Sequence, residues 1–150
     1  MPEININPGE LHVSRDEGDT IIAKDLCGSL VVAMHDPTNA VGAMAYIMLP
    51  QAPPGHEEGL QFAATAIPRL LNLLIEQGAA KDRIAAKLVG ASCLIASGVF
   101  SIGKRNVAKA REVLGELGLA IAGEDTGGSH KRNVRFDIKT GKLTIENIAK

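Results

Sequence analysis

The chain has no tryptophan, and only one tyrosine and three phenylalanines among its 150 residues. Its core must therefore be built from Ile, Val, Leu, Ala and Met, and with 45% hydrophobic residues there is enough of them for one domain with a single core. Cysteine is scarce. The two present, Cys27 and Cys93, have no metal-like spacing, which excludes a disulfide framework and a zinc site. His12, His56 and His130 likewise share no metal spacing. Charge of one sign is missing too: the net charge is −1 and the charged residues are scattered, so no basic face exists for nucleic acid. The longest apolar runs are strand-length, which argues against membrane insertion. The opening MPEININPG lacks the basic-then-apolar layout of a signal peptide. These absences leave a soluble, cytoplasmic domain with no cofactor motif.

What is present is organised around residues 26–50, LCGSLVVAMHDPTNAVGAMAYIMLP. Two apolar runs, 30–34 and 41–49, flank His35-Asp36-Pro37-Thr38-Asn39. That segment is turn chemistry: Pro37 fixes its own φ and lacks a donor, while Asp36 and Asn39 can bond local backbone. The runs read as two adjacent strands, entered through a bend at Gly28-Ser29 and closed by Pro50, which cannot continue a ladder. Function is expected where residues 27–30 and Tyr46 come together.

Along the rest of the chain, residues 1–9 read as a flexible arm. Residues 10–14 and 20–24 read as strands around an Asp16-Glu17-Gly18-Asp19 turn. From residue 57 the period becomes helical, with Leu60, Ala63, Ala64, Ile67, Leu70, Leu71, Leu74 and Ile75 on one stripe and Gly78 beyond the end. The stripe reads as core, and Pro68 should kink or restart this helix, placed at about 57–77. Residues 83–91 read as a strand, 92–101 as a loop, and 103–117 as a second helix closed by Gly118. A strand over 119–123, a tight turn at Asp125-Thr126-Gly127-Gly128, and a hairpin of 132–138 with 142–145 complete the chain. Strands outnumber helices without alternating with them, so the fold class is α+β, with no internal repeat or linker.

Several of these stretches resemble one family, the chemoreceptor glutamine deamidases (CheD). In the organising segment Gly28, Ser29, Asp36, Gly42, Met44, Ala45, Met48, Leu49 and Pro50 match. Similar signatures follow in order at Ala66-Ile67-Pro68, Gly78-Ala79, 86–91 (AKLVGA), 102–106 (IGKRN) and Asp125-Thr126-Gly127-Gly128. The resemblance runs from about residue 20 to residue 141. It implies a layered domain of mixed β-sheets with the two helices packed against them. It also implies chemoreceptors or a CheC-type phosphatase as partners, and binding or pocket roles for Gly28, Ser29, Met44, Arg105 and Asn106.

The departures fall on the chemistry. In the family a cysteine thiolate attacks the glutamine side-chain amide, a histidine shuttles the proton, and a threonine assists. The cysteine follows Gly-Ser, where this chain has Leu30. The histidine follows Met-Ala, where it has Tyr46. The threonine lies six positions before the cysteine, at Lys24. Leu30 cannot attack, and a phenol keeps its proton until about pH 10. Cys27 and His35 could substitute only if a bulge at Gly28 turned the sulfur and brought the two together. Otherwise Cys27 and Cys93 are inert buried sulfur. Ser29 has no partner base in the sequence. Lys24 reads as a pocket cation or a solvated strand residue, and Lys104-Arg105-Asn106 as a receptor contact or a loop brace. The reading is a chemoreceptor-binding or phosphatase-binding protein on the deamidase scaffold, catalytically inactive. The alternative is an active deamidase with an atypical site.

Overall fold

A computed structural model describes residues 2–55, 59–92 and 101–148. The strands are β1 (Glu3–Asn5), β2 (Leu11–Ser14), β3 (Thr20–Leu26), β4 (Leu30–Asp36), β5 (Val41–Ile47), β6 (Ala85–Gly90), β7 (Ala120–Thr126), β8 (Lys131–Asp137) and β9 (Leu143–Ile148). The helices are α1 (Ala63–Glu76) and α2 (Ile102–Glu116), and a single 3-10 turn at Lys81–Arg83 leads into β6. The strands form two sheets, ordered β1-β3-β8-β9 and β2-β5-β4-β6-β7. The α+β layered architecture expected from the sequence is the one observed.

β4 and β5 pair antiparallel from Leu30↔Ile47 to Asp36↔Val41. They are the middle strands of the five-stranded sheet and are buried on both faces, which is why their sequence is almost continuously apolar. Alternation splits their side chains between two cores. Leu30, Val32, Met34, Ala45 and Ile47 face the helices, meeting Ile67, Leu70 and Leu74 of α1 and Ala110 and Leu114 of α2. Val31, Ala33, Met44 and Tyr46 face the four-stranded sheet, with Ile21, Leu26, Val134 and Phe136. The result is three layers: helices, five strands, four strands.

Five local expectations are corrected. Residues 2–9 do not form the expected arm. Glu3–Asn5 pairs parallel with β3, and Ile6 is buried. The pattern EIN is too short to announce a strand, and its pairing partner lies seventeen residues on, with Glu3 opposite Thr20. The strands β2 and β3 flank the expected Asp16–Asp19 turn, yet each joins a different sheet. α1 begins at Ala63 rather than near residue 57, because Gln61 is already engaged: its carbonyl accepts from the amides of Met48 and Leu49. Pro68 does not start the helix afresh, since one helix runs from Ala63 to Glu76 with it inside. At the far end of the chain Asp125 and Thr126 belong to β7, and only Gly127 and Gly128 take positive φ. Cys93, His56 and most of the expected 92–101 loop lie outside the described residues.

A bend between the sheets as the candidate functional site

The chain crosses from one sheet to the other between Leu26, the last residue of β3, and Leu30, the first of β4. β3 breaks register between Ala23 and Leu26, and Asp25 adopts φ +61, a left-handed conformation tolerated by Asp and suited to a bulge. The Asp25 amide donates to Asn133 Oδ1 at 2.9 Å, which holds the bulge to β8.

All three carbonyls of the bend are bound. That of Cys27 accepts from Ser92 Oγ at 2.7 Å, that of Gly28 from Asn106 Nδ2 at 2.9 Å, and that of Ser29 from the Ala91 amide at 2.7 Å. The bend is thus clamped between the end of β6 and the first turns of α2. Gly28 is required by this approach: a Cβ there would stand 2.6 Å from Ile102 Cγ2. Asn106 is fully buried and also donates to the Met48 carbonyl at 3.1 Å, so it ties the bend to the end of β5. Its Oδ1 has no partner among the described residues. Of the two sequence readings for this helix start, Asn106 takes the bracing one. Arg105 is exposed and lines a surface groove with Leu49, Pro50 and Lys109.

Tyr46 reaches across from β5, 4% exposed, and donates its hydroxyl proton to the Lys24 carbonyl at 2.8 Å. Burial pushes the phenol's pKa up, and the nearby Asp25 carboxylate pushes the same way. Hydrogen bonding with Ser29 opposes the rise, and the net shift is upward. The phenol is therefore a proton holder and not a base. Ser29 is half-buried, and its Oγ stands 3.4 Å from the Cys27 amide. Beside this group lies a cavity of about 290 Å³ lined by Asn5, Asn7, Lys24, Asp25 and Tyr46.

The residues singled out from the sequence are thus divided. The structure brings Cys27, Ser29, Lys24 and Tyr46 together at the bend. It does not bring Leu30 to them: Leu30 pairs with Ile47 and is fully buried on the helix side of the sheet, while Tyr46 is on the other side. Nor does it bring His35, which sits at the opposite end of β4. From Ser29 that is about 20 Å of extended chain. There His35 Nε2 donates to the Ile138 carbonyl at 2.7 Å, and its ring stands edge-on to Phe136. A Cys27–His35 dyad does not form. Met44 is fully buried between the sheets, packed in the core with Ile21, Leu26 and Phe136. Asp25, with its positive φ, was the residue sequence reasoning missed. The bulge that turns Asp25 has no pattern in the sequence, and the Ser29 contact depends on which face the bend presents.

The family model described as CheD chemotactic sensory transduction matches residues 48–147, the stretch that begins just after Tyr46. The chain is 35% identical over 143 residues to the chemoreceptor glutamine deamidase CheD of Thermotoga maritima, covering 95% of this chain and 90% of that one. It is 33% identical to a probable chemoreceptor glutamine deamidase CheD of Moorella thermoacetica, over 99% of this chain and 92% of the other, and 35% identical to one of Solibacter usitatus, over 100% and 92%. This chain belongs to the CheD family. Its place is accordingly among chemotaxis-related proteins of the chemoreceptor glutamine deamidase type. No helix among the described residues is long and apolar enough to cross a membrane.

Proposed function

We propose that this CheD-family chain binds chemoreceptors without deamidating their glutamines. The observation that carries the reading is Tyr46. Amide hydrolysis by covalent catalysis needs a base that takes a proton from the nucleophile and then gives it to the departing ammonia. The side chain standing in that place is buried, and its proton is committed to the Lys24 carbonyl. No thiol stands at position 29 or 30. In the best-studied triad enzyme, loss of the nucleophile or the base alone costs roughly 10⁶ in turnover. What remains intact is the scaffold around the bend, with Arg105 and the groove beside Leu49 on its outer side. That surface supports a binding role, toward a chemoreceptor first and a CheC-type phosphatase second.

The test is to incubate the protein with a glutamine-bearing chemoreceptor signalling fragment and follow both the intact mass of the fragment and its co-sedimentation. A cysteine-bearing relative serves as the positive control. Binding with no mass change is expected. Conversion of glutamine to glutamate would overturn the reading in favour of an active deamidase, the activity that the relatives' names carry.

A further inference from the structure

We infer that the outer edge of β9 is an interface with a second copy of this chain, the two β9 strands pairing antiparallel about a twofold axis at Thr144. The four-stranded sheet ends at β9, which has no strand on its outer side among the described residues. A row of unpaired backbone amides and carbonyls invites a further strand unless something guards it. The other three edges are short or guarded. β1 has three residues and β2 has four. β7 shifts register against β6 and carries Glu124 and Asp125, ion-paired to Arg111 and Arg132. By contrast β9 opposes β8 without a shift from Lys131↔Ile148 to Phe136↔Leu143, and it contains no proline or glycine.

Faces and charges choose the register. Leu143 and Ile145 pack inward against the core between the sheets, while Lys142, Thr144 and Glu146 are exposed. Lys142 stands one residue before the strand and still belongs to its ladder, its carbonyl accepting from the Asp137 amide at 3.0 Å. A twofold axis sets like faces together, so it must pass through a residue and not between two. An axis at Glu146 sets that carboxylate against its own copy, and an axis at Ile145 pairs no charges. An axis at Thr144 sets Lys142 against the partner's Glu146, and Glu146 against the partner's Lys142. On the inner face it sets Leu143 against the partner's Ile145. Opposite charges and apolar side chains directly opposed stabilise a strand pair, and like charges destabilise it. The register at Thr144 satisfies both.

The backbone agrees. In an antiparallel strand every second residue bonds to a given neighbour, so Lys142, Thr144 and Glu146 serve β8. Leu143 and Ile145 turn their amides and carbonyls to the open edge. There Leu143 and the partner's Ile145 exchange both bonds, once on each side of the axis. The two copies of Thr144 form the close, non-hydrogen-bonded pair, with Cα atoms about 4.5 Å apart. Neither Tyr46 nor the groove at Arg105 takes part, so the outcome is independent of the receptor assay.

The test is sedimentation equilibrium of the full chain over a wide range of concentration. The weight-average mass is expected to rise from 15.7 kDa toward twice that value, and to rise less at high salt. Lys142→Glu and Glu146→Lys each set like charges face to face, and each variant alone should stay monomeric. Mixed in equal amounts, the two place opposite charges at both positions and should associate. On one strand these positions are about 13 Å apart, so only pairing between chains can produce that recovery. Circular dichroism confirms that each variant is folded. In a Cys27→Ala, Cys93→Ala background, Thr144→Cys should cross-link to its own copy under mild oxidation, because the expected Cα separation lies in the disulfide range of about 4.4–6.8 Å. Glu146→Cys should not. A wild-type mass that stays at 15.7 kDa at every concentration overturns the inference. So does a mixture no more associated than its two components, or cross-linking at 146 in preference to 144.

Discussion

Asp36 closes β4 with a fully buried carboxylate, and its removal should cost more than any surface charge in this chain. It accepts from the Ala80 amide at 2.9 Å, the Thr38 amide at 3.0 Å and Arg83 Nε at 3.3 Å. One side chain thus joins the β4–β5 turn to the connection between α1 and β6. Hydrogen bonds to a charged group contribute about 1.5–3 kcal/mol each. The sum is an upper bound, because Arg83 is 39% exposed and would rehydrate once its partner is gone. The two backbone donors have less recourse to water. Asp36→Ala should therefore destabilise by about 3 kcal/mol, a Tm drop of about 6–12 °C at this chain length. Asp36→Asn should be little better, since its amide turns a donor toward donors. Burial raises the carboxyl's proton affinity, but the bonds from Ala80, Arg83 and Thr38 outweigh it, and the pKa is held below the ordinary carboxylate value. A depressed folded-state pKa stabilises above the unfolded value of about 3.9, and that stability is lost as pH falls through the folded one. Urea melts of wild type and Asp36→Asn should run a constant distance apart from pH 7 to 5 and converge below about pH 4. A gap under about 0.5 kcal/mol at pH 7, within the range of ordinary surface substitutions, would refute the reasoning.

Tyr46 is the sole tyrosine and there is no tryptophan, so its ionisation can be followed by absorbance without interference. The folded protein should titrate above pH 10 and the urea-unfolded chain near it. Because the folded state holds the proton more tightly, stability should persist to about pH 10 and fall beyond it. A folded midpoint at or below that of the unfolded chain would contradict the burial argued for the phenol. Gly28→Ala must displace Ile102, and should cost about 1–3 kcal/mol in denaturant melts. Ile6→Ala should cost about 2–5 kcal/mol if the N-terminal strand is integral to the four-stranded sheet; a change near zero would mean that this segment is dispensable. Leu30→Cys alone should leave receptor glutamines unconverted in the mass assay, since it places a thiol in the helix-side core.

What was legible in the sequence was whatever depended on near neighbours. β4 and β5 announced themselves through apolar runs around a Pro-Asn turn, and their pairing followed from the short connection. α2 followed from its stripe and from Gly118, which takes the positive φ expected beyond a helix end. The misses depend on distant partners. β1 is a strand only because β3 offers it a parallel edge, and residues 59–62 are non-helical because Gln61 serves the end of β5. The turn at Asp16–Asp19 is real, with Ser14 Oγ donating to Asp19 at 2.6 Å, but nothing local says that the strands on either side of it part company.

The same distinction explains the site. Tyr46 and the Gly-Ser bend could be found by motif, because a motif records residue types in order. Facing is a different kind of information. Matching the bend by its Gly-Ser dipeptide places Leu30 at the next residue, and that match fixes order without saying which face the side chain takes. Here the strand begins at Leu30, so the residue after the dipeptide is already committed to the alternation of β4 and is turned into the helix-side core. The residue still in the bend is Ser29, whose Oγ stands 3.4 Å from the Cys27 amide. A bulge at Asp25 and three bound carbonyls hold it there, so the bend cannot slip by one residue to bring Leu30 round without breaking all three bonds at once. At about 1 kcal/mol net for each bond, plus the cost of drawing a fully buried leucine out of its core, a slipped bend would stand roughly 5 kcal/mol or more above the observed one. That gap is wide enough that only the observed bend is populated, with Leu30 held in the helix-side core and away from Tyr46.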